Sequence, residues 1–517
     1  MNSYQKKVMD FLASHDMDYR SIDLQANCAL FMAEMEQGLG DKLDDILLML
    51  PTYLKTDDLI PSDEPVIVID AGGTNLRVAL IHFDSLKRPV TNYFESYKMP
   101  GLSGEISTDE FFETIYNYLT PIIDKSDRIG FCFSYATEIL PNKDGRVLTL
   151  AKEIKVSGLA GAMLGSGLLS KISEKGVHSK KSIIVLNDST ATLLGGKAAF
   201  AGRIFENYMG MILGTGFNIC YVEKVDNIVK LPTSEGFADN MIINIETSHY
   251  SNGPLGKIDA EYDSGTAIPG SASFEKAISG AYQGGIIHTV IKQAAREGLF
   301  SKKFAERLPE LTALSTKDAN DFLNYPYNPS RSVLASLVCN VPASGAGGAS
   351  GASGTSGVRG AGGVRGAGGA SGASGTSGAS GASGVSSAIK PELGLGEGLG
   401  EGLGEGCVSS DQESDRLTLY YLIDAMMERV AILVTFTLAA IIKKINSGKN
   451  PCAPVCVTVD GSTFYKSKVL RQKIDYYVKT YINDQENLYL EFVKADNCVI
   501  TGAAIATLQN SDVHVAL

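Results

Sequence analysis

The sequence lacks any cluster of lysine and arginine residues. Among its 517 residues, Asp and Glu outnumber Lys and Arg by 58 to 46, which gives a net charge of −12. Proteins that bind nucleic acids usually carry a basic patch facing the phosphate backbone. We therefore expect no nucleic-acid partner. An anionic small molecule remains possible, because local backbone N–H groups and a divalent cation can bind one.

A complete set of cysteine and histidine residues at metal-binding spacing is also lacking. The eight cysteines lie at positions 28, 132, 220, 339, 407, 452, 456 and 498. Cys452 and Cys456 are close, but no second pair or histidine cluster completes a zinc site. We expect most of them to be buried free thiols in a cytoplasmic protein.

Long apolar runs are scarce. The segment 430–442 is strongly apolar but has thirteen residues, whereas a membrane-spanning helix needs about 20. The N-terminal sequence MNSYQKKVMDFLASHDMDY lacks the apolar core of a signal peptide. We expect a buried helix at 430–442 and no membrane insertion.

The segment 66–78, VIVIDAGGTNLRV, carries the strongest functional signal. Its first residues are β-branched and suit a buried strand that ends at Asp70. The two following glycines allow a sharp turn, which brings backbone N–H groups and the Thr74 hydroxyl close to a ligand. Phosphate suits this turn best, although the same glycines would also serve an ordinary β-hairpin.

Similar turns recur along the chain. A second turn, at 214–216, reads GTG between two apolar runs, and a third, at 460–463, reads DGST after another. Asp188 follows the apolar run 183–186 and could face a cleft, or it could cap the helix that follows. Gly502 is predicted to open a helix of small residues near the C-terminus.

Strand-like and helical stretches alternate along the chain, which favours an α/β protein with two lobes. We predict that 1–61 is a helical segment belonging to a large domain. We also predict a small α/β domain at 62–205, completed by 499–517, and a large α/β domain at 206–498.

A segment of different composition, 342–407, interrupts the predicted large domain. Glycine occupies every third position from 345 to 384, as in collagen, but proline is absent there. Because this composition offers little to bury, we predict a disordered insertion rich in Gly, Ala and Ser. A trimerising or binding arm is the alternative interpretation.

Taken together, these motifs resemble the eukaryotic-type hexokinase family. The matching elements, in family order, are MEQGL (35–39), MLPTY (49–53), IDAGGTNLRV (69–78), GFCFS (130–134), LND (186–188), GTGFNICY (214–221), PG followed by FEK and ISGAY (269–282), and VDGS (459–462). The resemblance implies a two-lobed, actin-like ATPase (ribonuclease H-like) fold, with a cleft between a small and a large domain.

The same resemblance implies ATP-dependent phosphorylation of the 6-hydroxyl of glucose or a related hexose, the first step of glycolysis. Asp188 would be the general base, and Arg77 would stabilise charge during transfer. The sugar contacts of the family fall on Ser134, Lys152, Asn187, Asn218, Glu246 and Glu275. Its nucleotide contacts fall on Asp70, Gly72, Gly73, Thr74, Asn75, Thr215, Gly216, Asp460, Gly461 and Ser462, with Asp70 holding Mg²⁺ through water.

Departures from the family pattern lie on the sugar side. The TWTK element has Ala151 as its third residue, the FSFP element ends in Ala136, and the NxEWG element has Thr247 and Ser248 in place of its last two residues. A weak or inactive sugar sensor is therefore an alternative to an active enzyme. An actin- or chaperone-like ATPase without a sugar site is a second alternative. A P-loop kinase is disfavoured because no GxxxxGK[ST] motif occurs.

Overall fold

The computed structural model describes residues 1–40, 47–54, 60–150, 154–177, 180–231, 238–340, 409–510 and 515–516. One compact unit comprises 1–343 and 410–517. A second unit comprises 344–409, of which only Ser409 is among the described residues. The predicted insertion 342–407 and the predicted sugar contact Lys152 lie outside the described residues.

Sixteen strands occur in the described part of the chain. They are β1 (Leu50–Pro51), β2 (Val66–Ala71), β3 (Asn75–Phe83), β4 (Pro89–Lys98), β5 (Ile106–Ser107), β6 (Arg128–Phe133), β7 (Thr137–Ile139), β8 (Gly145–Val147), β9 (Val156–Ser157), β10 (Ser182–Leu186), β11 (Asn207–Leu213), β12 (Phe217–Lys224), β13 (Asn240–Asn244), β14 (Val455–Asp460), β15 (Leu490–Val493) and β16 (Val515–Ala516).

Most strands belong to two six-stranded mixed sheets. One has the order β16-β10-β6-β2-β3-β4, and the other has the order β1-β13-β12-β11-β14-β15. In the first sheet β2 pairs with β6 in parallel and with β3 in antiparallel orientation. In the second, β11 pairs with β14 in parallel and with β12 in antiparallel orientation. The two sheets thus share a local arrangement, in which a hairpin strand lies beside a parallel neighbour.

The helices of the described residues surround these sheets. They are α1 (Ser3–Ser14), α2 (Leu24–Leu39), α3 (Thr108–Leu119), α4 (Leu164–Glu174), α5 (Asp188–Ala199), α6 (Lys257–Ser264), α7 (Ser273–Lys276), α8 (Gln283–Arg296), α9 (Lys302–Arg307), α10 (Thr316–Asn324), α11 (Val333–Cys339), α12 (Ser410–Lys444), α13 (Ser462–Lys466), α14 (Lys468–Tyr477) and α15 (Cys498–Gln509).

Several helix starts follow from local sequence. Asn2 accepts a hydrogen bond from the Gln5 backbone N–H, and the Gln5 side chain accepts one from the Asn2 N–H. Ser107 and Glu110 form the same reciprocal pair at the start of α3. Each pair satisfies backbone donors that the first turn of a helix leaves unpaired. Within the segment 1–61, predicted to be helical, residues 50–51 instead form β1, which pairs with β13 of the second sheet.

Helix α12 is the longest and lies in the core. Among the described helices it alone is long and apolar enough to cross a membrane by length and composition, but 94% of its most apolar window is buried inside the protein. The buried helix expected at 430–442 is confirmed, although the helix runs for 35 residues rather than thirteen. Arg429, itself fully buried, donates to the Asp259 carboxylate of α6 at 2.5 and 3.2 Å.

Two helices lie between the sheets. Helix α5 contacts β11 and β14, α15 contacts β2 and β6, and the two helices pack on each other. Glycines allow this close approach, since a Cβ on Gly502 would lie 1.8 Å from the Ala191 carbonyl oxygen. The prediction that Gly502 opens its helix is wrong. The helix begins at Cys498, and Gly502 lies inside it where the neighbouring backbone leaves no room for a side chain.

Candidate active site

A cavity of about 510 Å³ lies where the three glycine turns meet. It is lined by every site residue predicted from the sequence that the structure describes: Asp70, Gly72, Gly73, Thr74, Asn75, Arg77, Ser134, Asn187, Asp188, Thr215, Gly216, Asn218, Glu246, Glu275, Asp460, Gly461 and Ser462. These residues come from both sheets and from segments far apart in sequence. Lys152 is the remaining predicted residue and lies outside the described part.

The first turn connects β2 to β3. The Gly72 N–H donates to the Asn75 carbonyl at 3.0 Å, which closes the turn, and the Thr74 carbonyl accepts from the Met99 N–H at 3.1 Å. Thr74 and Asn75, at the end of this turn, are exposed and line the cavity. The two interpretations of these glycines are therefore compatible, since the turn is a β-hairpin and also lines the cavity.

The second and third turns contact each other. The Gly214 carbonyl accepts from the Thr463 hydroxyl at 2.8 Å and from the Gly280 N–H at 2.8 Å. Gly461 has φ of +131°, and a Cβ there would lie 2.2 Å from the Leu213 carbonyl oxygen. Only glycine fits this position. The phosphate-type turn of one hairpin is thus fixed to the turn that follows β14.

Two carboxylates of the cavity carry raised pKa values. The pKa of Asp70 is raised to about 6, mainly by burial; Arg77 opposes the shift, and the charges of Asp188 and Asp460 add to it. Burial is also the main cause of the raised pKa of Asp460, followed by the charge of Asp188. Arg77 Nη1 lies 2.9 Å from Asp70 Oδ2. One guanidinium therefore faces a group of three acids, and this excess of negative charge favours a bound cation.

Asp188 is the first residue of α5, and the residue before it caps the helix. The Asn187 side chain accepts from the Ser189 N–H at 2.8 Å and from the Ser189 hydroxyl at 2.8 Å. The alternative interpretation of Asp188 as the capping residue is therefore wrong. Because Asn187 supplies the cap, the Asp188 carboxylate can line the cavity.

A chain of amides connects the strands on the other side of the cavity. Asn218 Nδ2 donates to Asn244 Oδ1 at 2.8 Å, and Asn244 Nδ2 donates to Glu246 Oε1 at 2.7 Å. Asn218 Nδ2 also lies 3.4 Å from Asn187 Oδ1. The two hydrogen bonds that pass through Asn244 both donate in the direction of the carboxylate, so Glu246 is held with a fixed orientation.

Glu246 has an unusual backbone. Its φ and ψ are +57° and +61°, in the left-handed region that residues other than glycine rarely occupy. The next residue, Thr247, is fully buried and donates its hydroxyl to the Phe217 carbonyl at 2.8 Å. Such strain is retained at positions where the surrounding contacts enforce it.

Sequence reasoning assigned no role to several residues of the site. Asn244 is the middle member of the amide chain, and Thr149, Tyr135, Ser248 and Lys466 line the cavity. The Asn-x-Glu spacing, in which Asn244 ends β13 and Glu246 follows two residues later, was the available signal for Asn244. Ala151 lies outside the described residues.

Two family models, both described as hexokinase, match most of the chain. One matches residues 10–198, and the other matches 208–342 and 387–509. The chain belongs to the hexokinase family. The resemblance predicted from the motifs is confirmed.

Individual hexokinases give the degree of similarity. A chloroplastic hexokinase-2 of Nicotiana tabacum is 31% identical over 313 residues, which cover 56% of this chain and 61% of the tobacco protein. Human hexokinase-2 is 29% identical over 306 residues, which cover 56% of this chain and 33% of the human protein. The aligned segment thus spans less than two thirds of these relatives.

Solved hexokinase structures share the fold. A hexokinase from Schistosoma mansoni, solved in complex with glucose, superposes with a TM-score of 0.69 at 18% identity and covers 98% of each chain. Another hexokinase crystal structure gives a TM-score of 0.63 at 17% identity, covering 98% of this chain and all of the other. The expected two-lobed, actin-like α/β fold is confirmed.

Proposed function

We propose that this chain transfers the γ-phosphoryl group of ATP to the 6-hydroxyl of glucose or a related hexose. Its membership of the hexokinase family supports this reaction. The observation that carries the proposal is that Asp188 lines one cavity together with the three glycine turns and the amide chain. A carboxylate between a phosphate side and a polyol side suits transfer from one to the other.

Asp188 acts as the general base in this proposal. It accepts the proton of the hexose hydroxyl as the oxygen attacks the γ-phosphorus, and the bond to the ADP oxygen breaks. Its neighbour Asn187 contacts Asn218 of the amide chain. A sugar bound at these amides would therefore have a hydroxyl beside the Asp188 carboxylate.

The hexose is bound by side chains that together supply hydrogen-bond donors and acceptors. The proposed contacts are Ser134, Lys152, Asn187, Asn218, Glu246 and Glu275. Glu246 and Glu275 are acceptors for sugar hydroxyls, and the amides serve as donors or acceptors. The Glu275 carboxylate lies 3.2 Å from the Phe217 N–H, which orients it toward the same cavity.

ATP is bound across the three turns. The first turn and Thr215 and Gly216 of the second present backbone N–H groups and hydroxyls to the phosphates. The third turn, through Asp460, Gly461 and Ser462, contacts the ribose and adenine. Arg77 balances negative charge as it develops during transfer.

The donor set at Asp70 fits a magnesium ion that arrives with the nucleotide. Among the described residues, no group of three or more His, Cys, Asp or Glu side chains could cage a metal. Mg²⁺ is commonly held by one or two carboxylates, waters and substrate phosphates. The buried Asp70 carboxylate, whose pKa is raised by burial and by two further acids, suits that arrangement. When bound, Mg²⁺ would neutralise phosphate charge, with Asp70 holding it through water.

Glucose 6-phosphate as product would make the chain an enzyme of the first step of glycolysis, and we propose a cytoplasmic location. The cysteines of the described residues are free, which fits a reducing compartment. A sugar sensor with weak or no turnover is the alternative, and the departures from the family pattern at Ala151 and Thr247 motivate it.

Purified protein of the 517-residue sequence tests the proposal. With ATP, Mg²⁺ and glucose, mannose or fructose, we expect formation of a hexose 6-phosphate with at least one sugar. Asp188→Ala should lower kcat by about 10²- to 10⁴-fold, the usual contribution of a general base, while hexose still raises the melting temperature.

The matched control is Asp109→Ala. Asp109 also lies in the first turn of a twelve-residue helix, α3, but it does not line the cavity. This control should keep full activity. Stabilisation by hexose without turnover in the wild type would favour the sensor, and the absence of any hexose effect would refute both functions. Normal turnover in Asp188→Ala would exclude Asp188 as the base.

A further inference from the structure

Two segments that carry acidic side chains into the cavity, the turn at Glu246 and helix α7 with Glu275, are hydrogen-bonded to one residue, Phe217. The Phe217 N–H donates to Glu275 Oε1 at 3.2 Å, and the Phe217 carbonyl accepts from the Thr247 hydroxyl at 2.8 Å. Phe217 directly follows the second glycine turn and begins β12. The carboxylates of the sugar side are therefore connected to the backbone that forms the phosphate side.

Thr247 occupies a critical position in this connection. It follows Glu246, whose left-handed backbone requires support from its surroundings. Its N–H lies 3.4 Å from Asn218 Oδ1, so the same residue also contacts the amide chain. Thr247 does not line the cavity itself, whereas its neighbours Glu246 and Ser248 do.

Resting on the proposed function, we infer that Thr247 is a positioning residue that sets hexose affinity. Its hydroxyl holds the Phe217 carbonyl, and this bond keeps the turn at Glu246 closed so that the carboxylate meets the sugar. Without the hydroxyl, the Phe217 carbonyl loses a buried donor, and the turn is free to leave its strained conformation. The nucleotide turns do not depend on this bond, because the Gly214 carbonyl is held separately by Thr463 and Gly280.

The difference between threonine and the tryptophan of the family pattern supports a hydrogen-bonding role. A buried tryptophan fills a large volume, whereas Thr247 is a small side chain with no exposed surface. Its one polar atom donates to the backbone of the site. Thr247 therefore contributes a buried hydrogen bond at a position where a tryptophan would contribute mainly volume.

Thr247→Val and Thr247→Ser test the inference. Valine keeps the shape and removes the hydroxyl, while serine keeps the hydroxyl. We expect Thr247→Val to raise the hexose KM about tenfold, the effect of losing one buried hydrogen bond, with little change in the KM for ATP. Thr247→Ser should restore most of the hexose affinity. Thr247→Ala serves as a second variant without the hydroxyl, in case valine crowds the site.

Thr435→Val is the control for a general loss of stability. Thr435 is equally buried in α12 and donates its hydroxyl to the Ala431 carbonyl at 2.7 Å, but it does not line the cavity. This control should leave both KM values unchanged. Melting temperatures of all variants separate folding from binding.

The outcomes distinguish the inference from the function on which it rests. An active wild type whose hexose KM is unchanged in Thr247→Val and Thr247→Ala would overturn the inference alone. Equal rises in the KM for hexose and for ATP would also overturn it. A wild type that neither binds nor phosphorylates any hexose would refute the proposed function and the inference together.

Discussion

Buried and exposed cysteines differ sharply in this chain. Cys132 lies on β6 and Cys220 on β12, and both are fully buried, whereas Cys452 is exposed. Burial raises the pKa of Cys220 to about 12 and that of Cys132 well above its usual range. Since the thiolate is the reactive form, the buried thiols are chemically inert at neutral pH.

Alkylation of the native protein should follow this difference. At pH 8, we expect iodoacetamide to modify Cys452 within minutes, while Cys132 and Cys220 remain unmodified until the protein is denatured. Peptide mass spectrometry measures each position separately. Modification of Cys220 at the rate of Cys452 in folded protein would contradict the burial described here.

At the scale of single residues, the sequence predicted which residues lie at the cavity better than which hydrogen bonds they make. Asp188 was correctly placed beside the cavity, because an apolar strand followed by a polar turn exposes its end. The cap at Asn187 was missed, since both neighbours are good capping residues and sequence does not say which has the extended backbone. The amide chain through Asn244 was missed because it connects strands that meet only in the folded sheet.

Among elements, helices α5 and α15 pack on each other at a distance that glycine makes possible. A Cβ on Gly502 would meet the Ala191 carbonyl oxygen, and a Cβ on Gly195 would meet the Cys498 carbonyl oxygen at 2.2 Å. Both obstacles are backbone atoms, which cannot rotate away. These two helices therefore sit closer together than any larger residue would permit.

Gly502→Ala should therefore destabilise the protein. Alanine favours a helix by about 1 kcal/mol over glycine, but forcing atoms into a packed interior typically costs about 1–3 kcal/mol and occasionally more. Because the obstacle at Gly502 is a backbone oxygen, the cost should reach the upper end of that range, and we expect a net loss of about 2 kcal/mol in the free energy of unfolding, measured by chemical denaturation.

Gly202→Ala is the matched comparison. A Cβ on Gly202 would meet nothing within 4 Å, and its φ is not positive. That variant should equal the wild type or slightly exceed it in stability. A Gly502→Ala protein as stable as the Gly202→Ala protein would show that the helices can move apart at little cost.

Element types were largely predictable, and their boundaries were not. The apolar runs that begin at 66 and at 183 became β2 and β10, because continuous apolar, mostly β-branched residues suit strands buried on both faces. Strand β1 was missed, since two residues carry no periodic pattern and its pairing with β13 depends on the folded sheet. The start of α15 was misplaced because a packing glycine resembles a boundary glycine in sequence.

For the whole molecule, the family-model match is interrupted between residues 342 and 387. The break coincides with most of the segment of three-residue glycine repeats. It falls between α11 and α12, after β13 and before β14, so no strand pairing of either sheet is interrupted. The domain boundaries at 61, 205 and 498 stay predictions.

Deletion of 343–386 should leave catalysis nearly unchanged. Loop length contributes little to stability, about 0.6 kcal/mol for each doubling, and these residues lie outside the matched family pattern. We expect kcat and both KM values within about twofold of the wild type, measured in parallel on both proteins. A loss of activity in a deletion protein with an unchanged melting temperature would assign this segment a part in the reaction.

In the amide chain, each asparagine donates to the next residue, from Asn218 to Asn244 and from Asn244 to Glu246. This order makes the chain sensitive to deamidation, the slow hydrolysis of an asparagine to an aspartate. Aspartate has nearly the same shape as asparagine but no hydrogen to donate once ionised. Spontaneous hydrolysis of the Asn244 amide would therefore break its link to Glu246 and add a second negative charge next to that carboxylate. The damage would be chemical rather than conformational, because size and packing would hardly change. A deamidated molecule would keep its fold and lose the hydrogen bond that orients Glu246, through the loss of a single ammonia.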